Sequence, residues 1–547
     1  MKAHLGWLAT LLVACGGAPA ATDTPTPPPP IPTTQVAPTA PPDPWAIDGE
    51  LKREQLPGAA PSFAVEPTTL PKAPKGLPPA PASCRAFAAG GPPGKCDDPG
   101  TALASLDAAL TETDADKRNR ALRGLESCRH LPTGMVLALR TELAPVECAD
   151  TIAGAAIASP PVGIDGVTYD ALVGLGLAGM LRRASSNPPT LAAPHPKDKV
   201  KRFIDEKVHP WILGQAKAIQ ALSDAGSKLK YYGQAVVAVE AGMADMRFVE
   251  IVRSLPIPDE FKEDDELRNV YLNALEDVFE PRKRRGRDAA LVGLGRLATI
   301  GVIRDERVDR ARDLLSTMYG GSPIDALDEL LMPPLDPIAP EGPEARLASR
   351  LPTFYAGILF PAEKARDASL LRMLVNKGLS LPHRIALAND PPAEAKPLLA
   401  RARFELGQNY WRAVDFDEAL AVLGSPKGLA PADRLLFALA LGVQGGPQNA
   451  AEMMEKAPIK QLGIGDVAAL DALAAEGGDL AGHAAFDAAL IAELAAPKGA
   501  DEAYWRAVAE RYRKAAGIIV DLPTKKDASK RASEADEVAD AIAEAAK

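Results

Sequence analysis

Arg403-Phe404-Glu405-Leu406-Gly407-Gln408-Asn409-Tyr410, then Ala419-Leu420-Ala421-Val422-Leu423-Gly424-Ser425-Pro426, then Pro431, is the stretch whose order of apolar, small and helix-breaking residues decides the fold. Its apolar positions recur at helical intervals, and its glycines and prolines punctuate the runs as turns do. The texture extends well beyond it. From Ala82 onward the chain reads as helical segments separated by short Pro/Gly loops, with no convincing series of alternating strand patterns. Apolar residues make up 47% of the 547 residues but aromatic residues only 5%, which points to a core of Ala, Leu, Val and Ile, as in tightly packed helices. The expected fold class is all-α. Asp98-Pro99 reads as an N-cap with proline at the first helical position, and Ser322-Pro323-Ile324-Asp325 reads as a second start of that kind.

In residue type and spacing, Leu406-Gly407-x-x-Tyr410, Ala419 and Pro431 resemble a tetratricopeptide repeat. The resemblance implies two antiparallel helices that pack through small residues at Gly407 and Ala419. Leu406, Tyr410 and Leu423 would then fill between neighbouring repeats, and Pro431 would close the unit. The pattern departs from the family at Arg403, where Trp is usual, at Leu423, which replaces an aromatic, and at Pro426, which shortens the second helix. Leu441-Gly442 followed by Ala450-Ala451 reads as a degenerate next unit. Extended along the chain, the resemblance implies an α-solenoid of diverged helix pairs. Stacking would build its core and leave a concave surface for a partner peptide or helix.

A second repeat is literal. Ala171-Leu172-Val173-Gly174-Leu175-Gly176 recurs as Ala290-Leu291-Val292-Gly293-Leu294-Gly295. Gly174-x-Gly176-x-x-Gly179 matches the letters of a dinucleotide fingerprint, but that fingerprint has meaning only between a strand and a helix. With helical neighbours on both sides, small residues that let two helices approach closely explain both copies better.

The N-terminus carries an address. Lys2 precedes the apolar run Leu5–Ala14, which is too short for a bilayer span of about 20 residues. Leu12-Val13-Ala14-Cys15 resembles the lipobox of bacterial lipoproteins. That resemblance implies cleavage after residue 14 and acylation of the Cys15 thiol, with palmitate among the acyl chains. Several chains would make the anchor durable. Gly16, where an aspartate would resemble an inner-membrane retention signal, favours the outer membrane. From Ala18 to about Ala82 the chain is dominated by Pro, Thr and Ala and is expected to be an extended, disordered tether. The expected sections are therefore a signal peptide at 1–14, a tether at 15–82 and a cysteine-containing helical domain at 83–187. Helical repeats at 197–332, repeat-like helices at 344–522 and a charged tail at 523–547 follow.

Export makes disulfides available. Beyond Cys15 the cysteines are Cys84, Cys96, Cys128 and Cys148, and helices expected at 99–111, 114–129 and 132–144 choose their pairing. Antiparallel packing puts Cys96 and Cys128 at one end of the bundle and Cys148 at the other, roughly 20 Å away. Cys96–Cys128 and Cys84–Cys148 are the expected bridges.

Chemistry beyond this is sparse. No C-x-x-C, H-E-x-x-H, G-x-S-x-G or P-loop pattern is present, so no catalytic residue, metal ligand or cofactor is expected. The formal charge of −10 argues against nucleic acid or an anionic lipid surface as the main ligand. Arg282-Lys283-Arg284-Arg285-Gly286-Arg287 reads as a solvated loop between helices, facing the acidic stretch 259–266. Of the tryptophans, Trp211, Trp411 and Trp505 fall in the body, few for a sugar receptor. The expectation is a non-enzymatic envelope lipoprotein that scaffolds a protein or peptide partner and meets the membrane through its lipid alone. A sugar or peptide receptor, and an enzyme with an unrecognised site, are the alternatives.

Overall fold

The computed structural model describes residues 43–47, 61–74, 76–88, 93–262, 264–319, 324–335, 338–389, 391–444, 467–497 and 499–547. The expected leader, Cys15, the tether residues 15–42 and 48–60, and Ala450-Ala451 lie outside them. Every regular element among the described residues is a helix. In chain order these are α1 (Cys84–Ala88), α2 (Pro99–Thr111), α3 (Ala115–Leu125), α4 (Met135–Leu143), α5 (Ala149–Ala158), α6 (Gly166–Arg183), α7 (Lys197–Phe203) and α8 (His209–Gly226). Then come α9 (Tyr231–Arg253), α10 (Asp259–Lys262), α11 (Asp265–Ile300), α12 (Glu306–Met318), α13 (Gly342–Arg350), α14 (Thr353–Leu359), α15 (Ala368–Val375) and α16 (Leu381–Asn389). The last are α17 (Ala395–Tyr410), α18 (Ala413–Leu423), α19 (Pro431–Val443), α20 (Ala468–Glu476), α21 (Ala481–Leu494), α22 (Glu502–Ile518) and α23 (Leu522–Ala545).

Aspartate caps start many of them. The Asp98 carboxylate accepts the Thr101 N–H at 3.0 Å with Pro99 in the first turn, as its sequence suggests. Asp165, Asp305, Asp501 and Asp521 do the same for α6, α12, α22 and α23. The start expected at Ser322-Pro323 lies outside the described residues, and a 3₁₀ turn, Ala326–Glu329, follows it.

The chain divides into two compact units that differ from the expected sections. Among the described residues, one takes 43–47, 65–88 and 140–293, the other 61–64, 93–139 and those from 294 onward. The proline-rich loops near 185–196 and 331–341 stop helices without ending a core, so neither is a boundary.

In the first unit α9 is the axis, with residues 235–239 almost completely buried. α6 crosses it at Gly174, where an added Cβ would lie 2.5 Å from the Gly233 Cα. α11 crosses it at Gly293, where a Cβ would lie 2.6 Å from the Val239 nitrogen, and at Gly242, whose Cβ would meet the Gly286 carbonyl at 2.6 Å. Both copies of the six-residue repeat thus pack on one helix through glycine. The basic run is not a loop: it lies in the middle of α11. Arg282 and Arg285, three residues apart and so on one helix face, both reach the buried Asp245 of α9, at 2.9 and 2.7 Å. Lys283 pairs with Glu276, Arg287 with Asp288, and Arg282 also lies over the Phe248 ring at 4.2 Å. Arg282, Lys283, Arg285 and Arg287 are thus met inside the unit.

The expected tether ends too late. Residues 65–82 form an extended strap on this unit. The Thr68 N–H donates to Tyr169 Oη at 2.9 Å, Gln215 donates to the Gly76 carbonyl at 2.9 Å and Arg183 donates to the Pro78 carbonyl at 3.1 Å. Prolines prevent helix and sheet, but side chains supply the donors that the strap's carbonyls need. Leu77 is buried, and so is Trp45 farther upstream. Cys84 in α1 is bonded to Cys148, with Cα atoms 5.0 Å apart.

In the second unit the helix layout around Cys96 and Cys128 is close to that expected, and these two are bonded with Cα atoms 5.7 Å apart. Each helix from α17 to α23 packs on the next. The C-terminal stretch is part of this series: Ala528, Ala532, Ala535 and Ala539, spaced four, three and four apart, bury one face of α23, which packs on α22.

Candidate functional site

The decisive stretch folds as α17 and α18, a packed helix pair. Leu406, Tyr410, Ala419 and Leu423 are all buried, and a Cβ on Gly407 would strike the Phe416 ring at 2.6 Å. The small residue at Gly407 therefore admits an aromatic ring of the facing helix. Trp411 turns the chain in the left-handed conformation, φ +50°, and its indole donates to the Ile324 carbonyl at 2.8 Å. Pro431 opens α19 rather than closing the pair.

Polar residues occupy the interior of the pair. Asp415 is fully buried and touches three guanidiniums, Arg384 at 2.8 Å, Arg412 at 3.1 Å and Arg403 at 3.4 Å. Burial raises the Asp415 carboxyl, and Arg412 and Arg403 pull it back. Arg403 also holds Glu418 at 2.6 Å, so the half-buried Glu418 serves a buried cation. Arg403, a departure from the repeat pattern, thus replaces an aromatic contact with an ion pair between the helices. This cluster is closed to ligand. Sequence patterning missed it because a buried Arg and a solvated Arg look alike in one dimension.

A cleft of about 360 Å³ is lined by Pro334, Leu335, Ile338, Arg372, Met373, Asn376, Leu398 and Ala432. Its volume suits a small ligand or a few peptide side chains. One wall is the irregular stretch beginning at Leu331, and it is held at two points. Its Leu331 N–H donates to the buried Asp487 carboxylate at 2.7 Å, and Arg401 donates to the Pro333 carbonyl. Pro333 and Pro334 have no N–H to satisfy. Burial raises the Asp487 carboxyl well above its ordinary value, and the Leu331 N–H opposes this. The opposite wall is α15, capped by Asp367, with Met373 buried and Arg372 half-buried. Among the described residues Arg372 has no ion-pair partner. An apolar wall, an amide at Asn376 and a guanidinium with no ion-pair partner among the described residues suit an apolar segment that carries a carboxylate.

None of the described residues that line the cleft is a nucleophile or a base. Elsewhere Ser380 Oγ bonds His383 Nδ1, but both are buried, and burial lowers the imidazole to about 4. His383 Nε2 has no hydrogen-bond partner among the described residues. No group of three or more His, Cys, Asp or Glu among the described residues could hold a metal ion. Trp411 is core, while Trp211 stacks on Phe248 at 5.6 Å.

No family model, curated protein or solved structure matches the chain.

The protein is therefore described by its own features: all-α, built of packed helix pairs and bridged by two disulfides, which fit an oxidising compartment outside the cytoplasm. No described helix is long and apolar enough to cross a membrane.

Proposed function

We propose that this chain is a bacterial envelope lipoprotein, anchored through Cys15 most naturally in the outer membrane, whose tetratricopeptide-like, solenoidal helix pairs scaffold another envelope protein. The observation that carries the reading is the cleft beside Arg372. A wall fixed by Asp487 and Arg401 faces a cation with no ion-pair partner among the described residues. Preorganisation of this kind lowers the cost of ordering a partner segment. The two disulfides support export, and the lipobox supports the anchor. A sugar receptor draws less support, since Trp411 is held in the core.

A photoreactive residue in place of Ile338, activated in intact cells, should capture one predominant envelope protein. Arg372→Glu should cut that capture at least about tenfold, as removal of an interfacial charge pair does. Capture of glycan or lipid alone, or equal capture with Arg372→Glu, would overturn the reading.

A further inference from the structure

The hairpin of α22 and α23 ends in a turn that no part of the function above uses. Ile519 points inward and packs against Gly482, while Ile518, Val520 and Leu522 point out. Val520 is 92% exposed and Leu522 67%, with Ile518 at 37%. Isolated exposed apolar residues are ordinary, but three within five positions on one turn form a patch. The turn is also held in shape. Asp521 caps α23 by accepting the Thr524 N–H at 2.9 Å and its hydroxyl at 2.6 Å, and Pro523 lies in the first helical turn.

The charges around the patch are one-sided. Lys514, Lys525 and Lys526 are exposed and have no ion-pair partner among the described residues. The arginines of the same hairpin are all engaged: Arg506 and Arg513 with Asp536, Arg511 with Asp471 and Arg531 with Asp527. The one acid in the turn, Asp521, is used as a cap.

We infer that this turn is a contact for an anionic phospholipid surface, with Ile518, Val520 and Leu522 entering the interface and Lys514, Lys525 and Lys526 meeting phosphate headgroups. Apolar burial combined with lysine at the headgroup level is the chemistry of interfacial binding. A protein groove would select a stripe along a helix, whereas this patch is a tip surrounded by cations. The chain's net charge of −10 argues against an anionic surface as the main ligand but leaves a local contact open, because charges more than about 8 Å away are largely screened at physiological ionic strength. The inference is independent of the Arg372 cleft and amends the expectation that lipid is met through Cys15 alone.

Gly517 is exposed with open space around it, so a polarity-sensitive fluorophore on Gly517→Cys reports on the turn without altering it. The full chain, mixed with vesicles of phosphatidylcholine alone or with phosphatidylglycerol added, should show a blue shift and shielding from aqueous iodide only with the anionic vesicles. Anchorage at Cys15 is common to both mixtures and cannot produce the difference. Val520→Asp with Leu522→Asp, and Lys514→Glu with Lys525→Glu and Lys526→Glu, should each reduce shielding at least about tenfold in vesicle concentration. The inference fails if iodide reaches the reporter equally with and without anionic vesicles. It fails too if zwitterionic vesicles shield equally, or if shielding rises with protein concentration in their absence, which would mark a contact between copies. The comparison of vesicles on the unaltered turn stands even if a variant misfolds.

Discussion

His383 is where pH acts most directly on this fold. The ordinary imidazole value of 6.5 is lowered by burial to about 4, with Glu363 opposing. Between those values the unfolded chain binds a proton that the folded chain does not. Stability should be full above about pH 6.5 and fall as pH drops toward 4, by roughly 3 kcal/mol for a shift of this size. The buried Asp487 works in the other direction: its carboxyl is raised, so its contribution is lost as pH rises. Comparison with His383→Gln isolates the histidine. Urea unfolding of both proteins at pH 7 and pH 4.5 should show a steeper loss in the wild type, and parallel losses would refute this account. Residue scale is also where one-dimensional reading was weakest. Glu418 and Arg403 look like surface charges on amphipathic helices, yet they form a pair with Arg403 buried.

Helix crossings show what the repeated glycines do. A Cβ at Gly233 would sit 2.2 Å from the Asp170 carbonyl, and backbone cannot yield as a flexible side chain can. Gly154, in α5 of the same unit, has open space around its Cβ position. Gly233→Ala should therefore destabilise by about 1–3 kcal/mol through overpacking. Gly154→Ala should stabilise by roughly 0.5–1 kcal/mol, the ordinary advantage of alanine inside a helix. Thermal unfolding of the two variants tests the pair. Equal shifts would mean that the crossing of α6 and α9 is not set by glycine. The literal repeat announced close approach in the sequence, and both copies deliver it on α9. The basic run in α11 announced nothing of its partner, because Asp245 is 37 residues from Arg282 in the chain.

At the scale of the molecule, the strap decides how much chain is needed to fold. A fragment starting at Ser83 keeps both disulfides but loses the Gly76 carbonyl that accepts from Gln215 and the Pro78 carbonyl that accepts from Arg183. It also uncovers the pocket of Leu77, whose burial alone is worth roughly 1.5–3 kcal/mol. A fragment starting at Val65 should melt at a higher temperature than one starting at Ser83, with the difference near 2 kcal/mol in urea. Identical midpoints would return residues 65–82 to the status of a spacer.

The sequence by itself determined the helical class, the caps at aspartate and the cysteine pairing, since each follows from local spacing and helix length. It also determined that the glycine repeats serve packing. Only the tertiary structure decided where the units divide, that residues 65–82 are bound, and that Arg282, Arg285, Arg403 and Glu418 are internal partners. Helix propensity and capping act within a few residues, so they are written locally. Burial of a charge depends on what arrives from elsewhere in the chain. For the cleft the same holds: Pro334, Arg372 and Leu398 line it together, and Asp487 and Arg401 hold its wall at Leu331 and Pro333 from sites far along the sequence.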